Sequence, residues 1–174
     1  MKPAPLLCLL LLLLGLVPAP AAAQAPLPSP ELVPGRAFQV KYQVPAHWTV
    51  TRQRTDSVEV LRYQSPNNDA LLWVGQLRGR HARLTPAQAL RRVLRHQLHP
   101  LRHEEHRVSA HGLDYLESSG TCRVGGRELR YDARVTQHDG HVLVVYIYAS
   151  PAGFASQAPL LHQVLDSMTP VSGK

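Results

Sequence analysis

The sequence predicts an α+β domain in which an antiparallel β-sheet of about six or seven strands, ending in a C-terminal meander, is sandwiched by helices. Three observations lead to this prediction. Several short segments alternate apolar and polar residues, which is typical of strands with one buried face. Short turns containing Gly join the last four segments, and such local hairpins pair antiparallel. The last segment, Val142 to Tyr148 (VLVVYIY), is apolar on both faces and indicates an interior strand covered on both sides, most simply by helices.

The first 23 residues have the features of a secretory signal peptide. One lysine precedes an apolar run from Leu6 to Val17, and small residues follow up to Ala23. The run has 12 residues, whereas a helix that crosses a bilayer needs about 20. We therefore expect cleavage before Gln24, no transmembrane segment in the mature chain, and a secreted or periplasmic location.

A proline-rich leader and one domain are predicted for the rest of the chain. Residues 24–36 contain four prolines among small residues, which indicates a disordered leader. Residues 37–170 have the size of a single domain with one core. Once Cys8 leaves with the signal peptide, Cys122 is the only cysteine, so the domain has no internal disulfide and we expect Cys122 to be buried.

Strand patterns begin at Phe38, where apolar and polar residues alternate as far as Val44 and Pro45 ends the run. Turn-rich sequences separate the later runs. The predicted strands are residues 38–44, 48–51, 58–63, 70–77, 107–110, 113–122, 128–137 and 141–148.

The first predicted helix runs from Thr85 to Leu98. Thr85 can cap it, Pro86 suits the first helical position, and Gln88 completes a capping box. Pro100 is expected to stop it near His99. Its apolar face is formed by Leu90, Val93, Leu94 and Leu98.

A second helix is predicted from Ser156 to Met168, because apolar residues recur there at helical spacing. Pro159 would then lie in its first turn, where a proline is tolerated.

Two segments carry a resemblance to a known family. The segment YQVPAHWTV, Tyr42 to Val50, has a strand that runs into a Pro-x-x-Trp element, and FASQAPLLHQVLDSM, Phe154 to Met168, is an apolar-striped helix. With the order of strands, helix, meander and helix, these segments resemble the PsbP-like and DcrB-like superfamily of small exported domains. The resemblance implies a sheet sandwiched by helices and a binding or assembly role, with no shared active site to carry over.

Positive charge is concentrated between residues 78 and 107, where eight arginines stand against two glutamates. Such a block indicates an acidic partner, namely an acidic protein, an anionic lipid or an envelope polymer, while export argues against a nucleic acid. The block also leads into a helix N-terminus, which favours anions. A merely solvated arginine-rich surface is the alternative reading. The candidate anion-binding or partner-binding residues are Arg78, Arg80, Arg83, Arg91, Arg92 and Arg95.

Histidines provide a weaker candidate site for a metal ion. The Asp-Gly turn in QHDGH places His138 and His141 opposite each other in a hairpin, close enough for two imidazoles to reach one ion. His96 and His99 would lie on adjacent turns of the first helix, although a zinc site would need further ligands. Solvated surface histidines are the alternative in both cases.

These observations favour an exported, non-enzymatic binding or assembly module with a basic face for an acidic partner. The first alternative is a metal-binding or metal-handling protein that uses the surface histidines. The second is an uncharacterised hydrolase, although the sequence contains no Gly-x-Ser-x-Gly element. No cofactor is predicted.

Overall fold

The computed structural model of the chain describes residues 31–171 and confirms the α+β class. The predicted signal peptide and leader residues 24–30 lie outside these residues. The strands are β1 (Leu32–Ala37), β2 (Val40–Pro45), β3 (Thr49–Arg54), β4 (Val58–Gln64), β5 (Ala70–Leu77), β6 (Pro100–Ala110), β7 (Leu113–Val124), β8 (Arg127–His138), β9 (His141–Ala149) and β10 (Thr169–Pro170). The helical elements are a 3₁₀ helix (Gly79–Arg83), α1 (Pro86–Val93), a π turn (Leu94–Leu98) and α2 (Pro151–Asp166).

The main sheet contains seven antiparallel strands in the order β3-β4-β5-β9-β8-β7-β6. Strands β6 to β9 form the predicted meander, and β5 joins it by pairing with β9. A small sheet has the order β1-β2-β10. Among residues 31–171, no helix is both long enough and apolar enough to cross a membrane.

Each face of the main sheet packs its own apolar core. Helix α1 and the π turn cover one side, which we call the α1 face, and α2 with the small sheet covers the other, the α2 face. Strand β9 contributes to both cores, with Val142 and Val144 on the α1 face and Leu143 and Val145 on the α2 face. The prediction of an interior strand is therefore confirmed.

Strand β1 contradicts part of the predicted leader. Residues 32–36 pair with β2, and the chain turns at Phe38 and Gln39, which both have positive φ angles, of 53° and 63°. Phe38 is thus a turn residue and not the start of a strand. Proline and glycine fit β1 because it is an edge strand, where Pro34 is tolerated and the missing side chain of Gly35 leaves room for the Tyr42 ring.

The predicted start of α1 is confirmed, but its end differs. Gln88 N donates to Thr85 Oγ1 at 3.3 Å and Thr85 N donates to Gln88 Oε1 at 3.0 Å, which completes the capping box. The α-helix ends at Val93 and continues as the π turn, whose His99 N donates to Leu94 O at 2.7 Å. His99 then adopts a left-handed conformation. The chain leaves the helix there because Pro100 has no N–H to continue it.

Helix α2 begins five residues earlier than predicted. Ser150 caps it by accepting a hydrogen bond from Gly153 N at 3.0 Å, and Pro151 occupies the first position. Pro159 therefore lies inside the helix and not in its first turn. Because Pro159 has no N–H, the carbonyl four residues earlier lacks its intrahelical donor. The Pro159 side chain is exposed, so water can reach this part of the helix.

Candidate functional site

Five of the six candidate arginines are exposed, and we call the surface to which they contribute the basic face. Within residues 31–171 none of the five forms an ion pair. Their positive charges are therefore uncompensated and open to a partner. They are Arg80 and Arg83 on the 3₁₀ helix, Arg91 and Arg92 on α1, and Arg95 on the π turn.

Arg78, the sixth candidate, is engaged inside the molecule. Its Nη1 donates to Glu59 Oε2 at 2.6 Å, and Arg52 Nε donates to Glu59 Oε1 at 3.0 Å. Arg54 Nε lies 3.8 Å from Oε2 of the same carboxylate. Glu59 is largely buried, with 8% of its surface exposed. The hydrogen bond from Arg52, against the opposing effect of burial, holds the Glu59 pKa below its usual value. Arg78 therefore positions the start of the 3₁₀ helix and is not free for a partner.

His81 lies beneath the basic face and is not one of its surface groups. It is 6% exposed on the 3₁₀ helix. Burial lowers its pKa first, and the charges of Arg92 and Arg80 lower it further. Two arginines from different helical segments thus act on one buried imidazole, which indicates that their charges converge. No local pattern in the sequence separates His81 from the exposed histidines nearby.

The sequence predicts an anion-binding site at the N-terminus of α1. The capping box already uses the Gln88 amide there. A cleft of about 600 Å³ adjoins this end of the helix, lined by Thr85, Pro86 and Ala87 and by residues of β6 and β7 that include Arg107 and Asp114. Because the cleft contains both charges, it does not select for an anion in the way that the basic face does.

The histidines of the 95–111 stretch do not converge. His96 is exposed on the π turn, and His99 follows in the left-handed position, so their spacing is not that of adjacent α-helical turns. His103 and His106 lie on β6 three residues apart, which places them on opposite faces of the strand. The predicted pairing of His96 with His99 on one helical surface is therefore not found.

His138 and His141 are directly opposed in the β8–β9 hairpin, as the Asp-Gly turn predicts. Gln76 Nε2 donates to Nδ1 of His141 at 2.6 Å, and His138 Nε2 lies 3.4 Å from the Asp139 carboxylate. Within residues 31–171, no group of three His, Cys, Asp or Glu side chains is placed to hold a metal ion. The hairpin therefore offers two ligands at most.

A polar pocket of about 240 Å³ between α2 and β6–β8 has no counterpart among the sequence-predicted sites. Glu117 joins His106, at 2.9 Å, to Arg134, and Arg134 Nη2 lies 2.9 Å from Asp166. These ion pairs tie the edge strand β6 to α2 through two central strands. His106 and Asp166, at the two ends of the network, are 60 positions apart, so local sequence patterns could not reveal it.

A further ion pair in this pocket also joins α2 to β8. His162 Nε2 donates to Asp132 Oδ2 at 3.1 Å. Burial raises the Asp132 pKa, and the neighbouring His162 opposes that shift. Both histidines of the pocket, His106 and His162, therefore contact carboxylates. The network as a whole attaches α2 to the sheet.

Cys122 is buried on the α1 face, as predicted, with no exposed surface. Burial raises its pKa to about 11, so the side chain remains a thiol at neutral pH. A thiol in this state is a poor nucleophile, and Cys122 therefore acts as a core residue.

The domain is similar in fold to solved structures of low sequence identity. The solution structure of cyanobacterial PsbP (CyanoP) from Synechocystis sp. PCC 6803 is 13% identical, with a TM-score of 0.59 over 87% of this chain and 99% of the other. A protein of unknown function from Pseudomonas aeruginosa, PA94, is 16% identical, with a TM-score of 0.50 over 82% of this chain and 99% of the other.

No protein-family model matches the sequence, and neither does any curated protein. At these identities the structural likeness establishes the fold alone. The domain has the PsbP-like fold that the resemblance of its sequence predicted.

Proposed function

We propose that this chain is an exported, non-enzymatic binding module that holds an acidic partner on its basic face. The observation that carries the proposal is that Arg80, Arg83, Arg91, Arg92 and Arg95 are all exposed and unpaired within residues 31–171. Elsewhere on the domain, arginines such as Arg52 and Arg134 are used in internal ion pairs.

The arrangement favours a binding surface because it combines like charges without local compensation. Arg91 and Arg95 are four residues apart, and no carboxylate lies between them in the sequence. Like charges at this spacing cost a helix a few tenths of a kcal/mol. An acidic protein, an anionic lipid or an envelope polymer would relieve that repulsion and would gain from charge-assisted hydrogen bonds to the guanidinium groups.

The test compares retention of the mature protein on heparin and its co-sedimentation with vesicles that contain an anionic lipid. The variant replaces Arg91, Arg92 and Arg95 by glutamate. The matched control replaces Arg36, Lys41 and Arg123 by glutamate, because these residues are exposed, lie away from α1, and change the net charge equally.

We expect the α1 variant to lose most of its binding and the control to keep most of it, with the thermal midpoint of both near the wild type. Exposed positions rarely change stability by more than about 0.5 kcal/mol each. Equal losses in the two variants would mean that net charge alone governs retention, which would overturn the proposal of a specific face.

A further inference from the structure

A separate small pocket opens on the α1 face at the opposite end of β5 and β9 from the 3₁₀ helix. It has a volume of about 110 Å³, the space of about four water molecules at roughly 30 Å³ each. Drug-sized ligands occupy pockets of about 300–1,000 Å³. The size therefore suits one small polar group and excludes a large ligand.

Four adjacent strands place their side chains around this pocket. Gln64 of β4, Leu71 of β5 and Tyr148 of β9 are cross-strand partners in one row, because Gln64 pairs with Leu71 and Leu71 pairs with Tyr148. Arg62 follows on the same face of β4, two residues from Gln64, and Arg127 enters from the start of β8. The site is thus built where the ends of four neighbouring strands meet.

The charged groups of the pocket are mainly positive. Arg62 and Arg127 line it together with the hydroxyls of Tyr148 and Ser150, and the lining carboxylate, Asp69, already accepts a hydrogen bond from Asn67 Nδ2 at 2.7 Å. Within residues 31–171, neither of these two arginines forms an ion pair. Two guanidinium groups therefore share the pocket with one carboxylate, which leaves a net positive charge among its lining residues.

Arg62 has a donor that lacks an acceptor. Its Nη2 donates to Gln64 Oε1 at 3.3 Å, but its Nε is buried and has no hydrogen-bond partner. A buried guanidinium N–H without an acceptor is costly, and native structures rarely leave one unexplained. The Arg62 side chain, which lines the pocket, therefore has donor capacity that the described residues do not fill.

A stack of aromatic rings fixes Tyr148 at the edge of the pocket. The Tyr146 ring stacks on Trp73 at 5.1 Å and on Tyr148 at 6.2 Å between centroids. Gly75 leaves room for the Trp73 ring, which would overlap a Cβ atom at that position. Burial raises the Tyr148 pKa, while Arg62 and Arg127 oppose this shift, so the phenol stays protonated at neutral pH and can donate.

We propose that this arginine–tyrosine pocket binds a single oxyanion group, a carboxylate or a phosphate, through Arg62, Arg127 and Tyr148. The planar fork of arginine matches the geometry of both anions. The residues are distinct from those of the basic face, so the two proposals stand or fall separately.

The experiment is a titration of the ¹⁵N-labelled mature protein with sodium phosphate and, separately, with sodium acetate, at an ionic strength held constant with sodium chloride. We expect saturable shifts of the amides around Arg127 and Tyr148. Tighter binding of phosphate or of acetate identifies which oxyanion the pocket prefers.

The variants Arg62→Gln and Arg127→Gln should weaken this binding by at least about tenfold, since each removes a charge-assisted contact. Tyr148→Phe keeps the aromatic stack and should weaken binding less, by about threefold. The control Arg36→Gln removes a positive charge from β1 of the small sheet, away from both proposed sites, and should bind as the wild type does. Arg127 is exposed, so its variant carries the test if Arg62→Gln does not fold.

No saturable shift with either anion would overturn the proposal. So would wild-type affinity in the Arg62→Gln or Arg127→Gln variant, or an equal loss in Arg36→Gln, which would assign the effect to general electrostatics. Because none of these readouts involves heparin or vesicles, failure here leaves the proposal for the basic face unaffected.

Discussion

At the scale of single residues, Glu59 decides which arginines are available to a partner. Its carboxylate lies between Arg52 and Arg54 of β3 and Arg78 at the end of β5, so it neutralises charge on one side of the domain and directs the chain into the 3₁₀ helix. A buried carboxylate that holds several arginines is destabilising to remove, because the partners lose their compensation.

Replacement of Glu59 by Gln should lower the thermal midpoint at neutral pH. The Glu59 pKa is lowered in the folded state, so the carboxylate stabilises the fold above its unfolded pKa of about 4.3 and this contribution is lost as the pH falls through the folded pKa. The difference between the thermal midpoints of wild type and variant should therefore be largest near neutral pH and shrink in acid. Thermal unfolding followed by circular dichroism from neutral to acid pH measures it.

Glu128→Gln is the matched control, because Glu128 is exposed and forms no ion pair within residues 31–171. A difference between wild type and Glu59→Gln that stays constant down to acid pH would contradict an electrostatic role for Glu59.

At the scale of elements, the capping box at the start of α1 sets the direction of the helix that presents Arg91 and Arg92. Thr85→Ala should destabilise the domain by about 1 kcal/mol, the usual cost of losing an N-cap side chain. Urea unfolding checks the loss. Thr51→Ala, on the exposed edge strand β3, serves as the control. An unchanged unfolding midpoint for Thr85→Ala would show that packing alone holds the helix start.

The β8–β9 hairpin tests the metal hypothesis at the same scale. Two opposed histidines without a third ligand in the described part of the chain should bind zinc only weakly, because stable zinc sites use three or four protein ligands. Calorimetric titration should give an affinity no tighter than micromolar, and His96→Ala with His99→Ala provides the comparison. Submicromolar affinity that disappears on His138→Ala with His141→Ala would instead favour a metal-handling role.

Local chemistry explains which elements the sequence could predict. Thr85, Pro86 and Gln88 mark a helix start within four residues, and Asp139-Gly140 sets a hairpin register, so both were found correctly. Strands β1 and β6 were missed or shortened because edge strands carry proline or charged residues on exposed faces. The start of α2 was misplaced because its apolar periodicity begins later than its Ser150-Pro151 cap.

The candidate site was predictable only where it depends on composition. The exposed arginines of α1 follow from an amphipathic pattern. The pairing of Arg78 with Glu59 joins residues 19 positions apart and depends on how the strands pair. The arginine–tyrosine pocket combines β4, β5, β8 and β9, and its residues carry no shared motif. Strand order had to be known before either arrangement became visible.

At the scale of the whole molecule, the two sides of the main sheet use their charges differently. On the α2 side, Arg134 and His162 are paired with carboxylates that hold α2 on the sheet. On the α1 side, the basic face leaves its arginines exposed. The α1 side therefore presents five exposed, unpaired arginines, and an acidic partner should meet the domain there.

The exposed positive charge of the basic face predicts how binding to heparin depends on salt and pH. Added salt should weaken retention, because exposed charges are screened beyond a Debye length of about 8 Å at physiological ionic strength.

Lowering the pH from about 7.5 to 5.5 should strengthen retention, since exposed histidines gain positive charge over this range. His96 and His99 are exposed and border the basic face, whereas His81 is buried beneath it. Retention of His96→Gln with His99→Gln should accordingly rise less on acidification, whereas a control with His47→Gln and His111→Gln, both exposed and outside the basic face, should behave as the wild type. If the wild type shows neither salt-sensitive retention nor an increase in acid, the arginines of α1 are only a solvated surface.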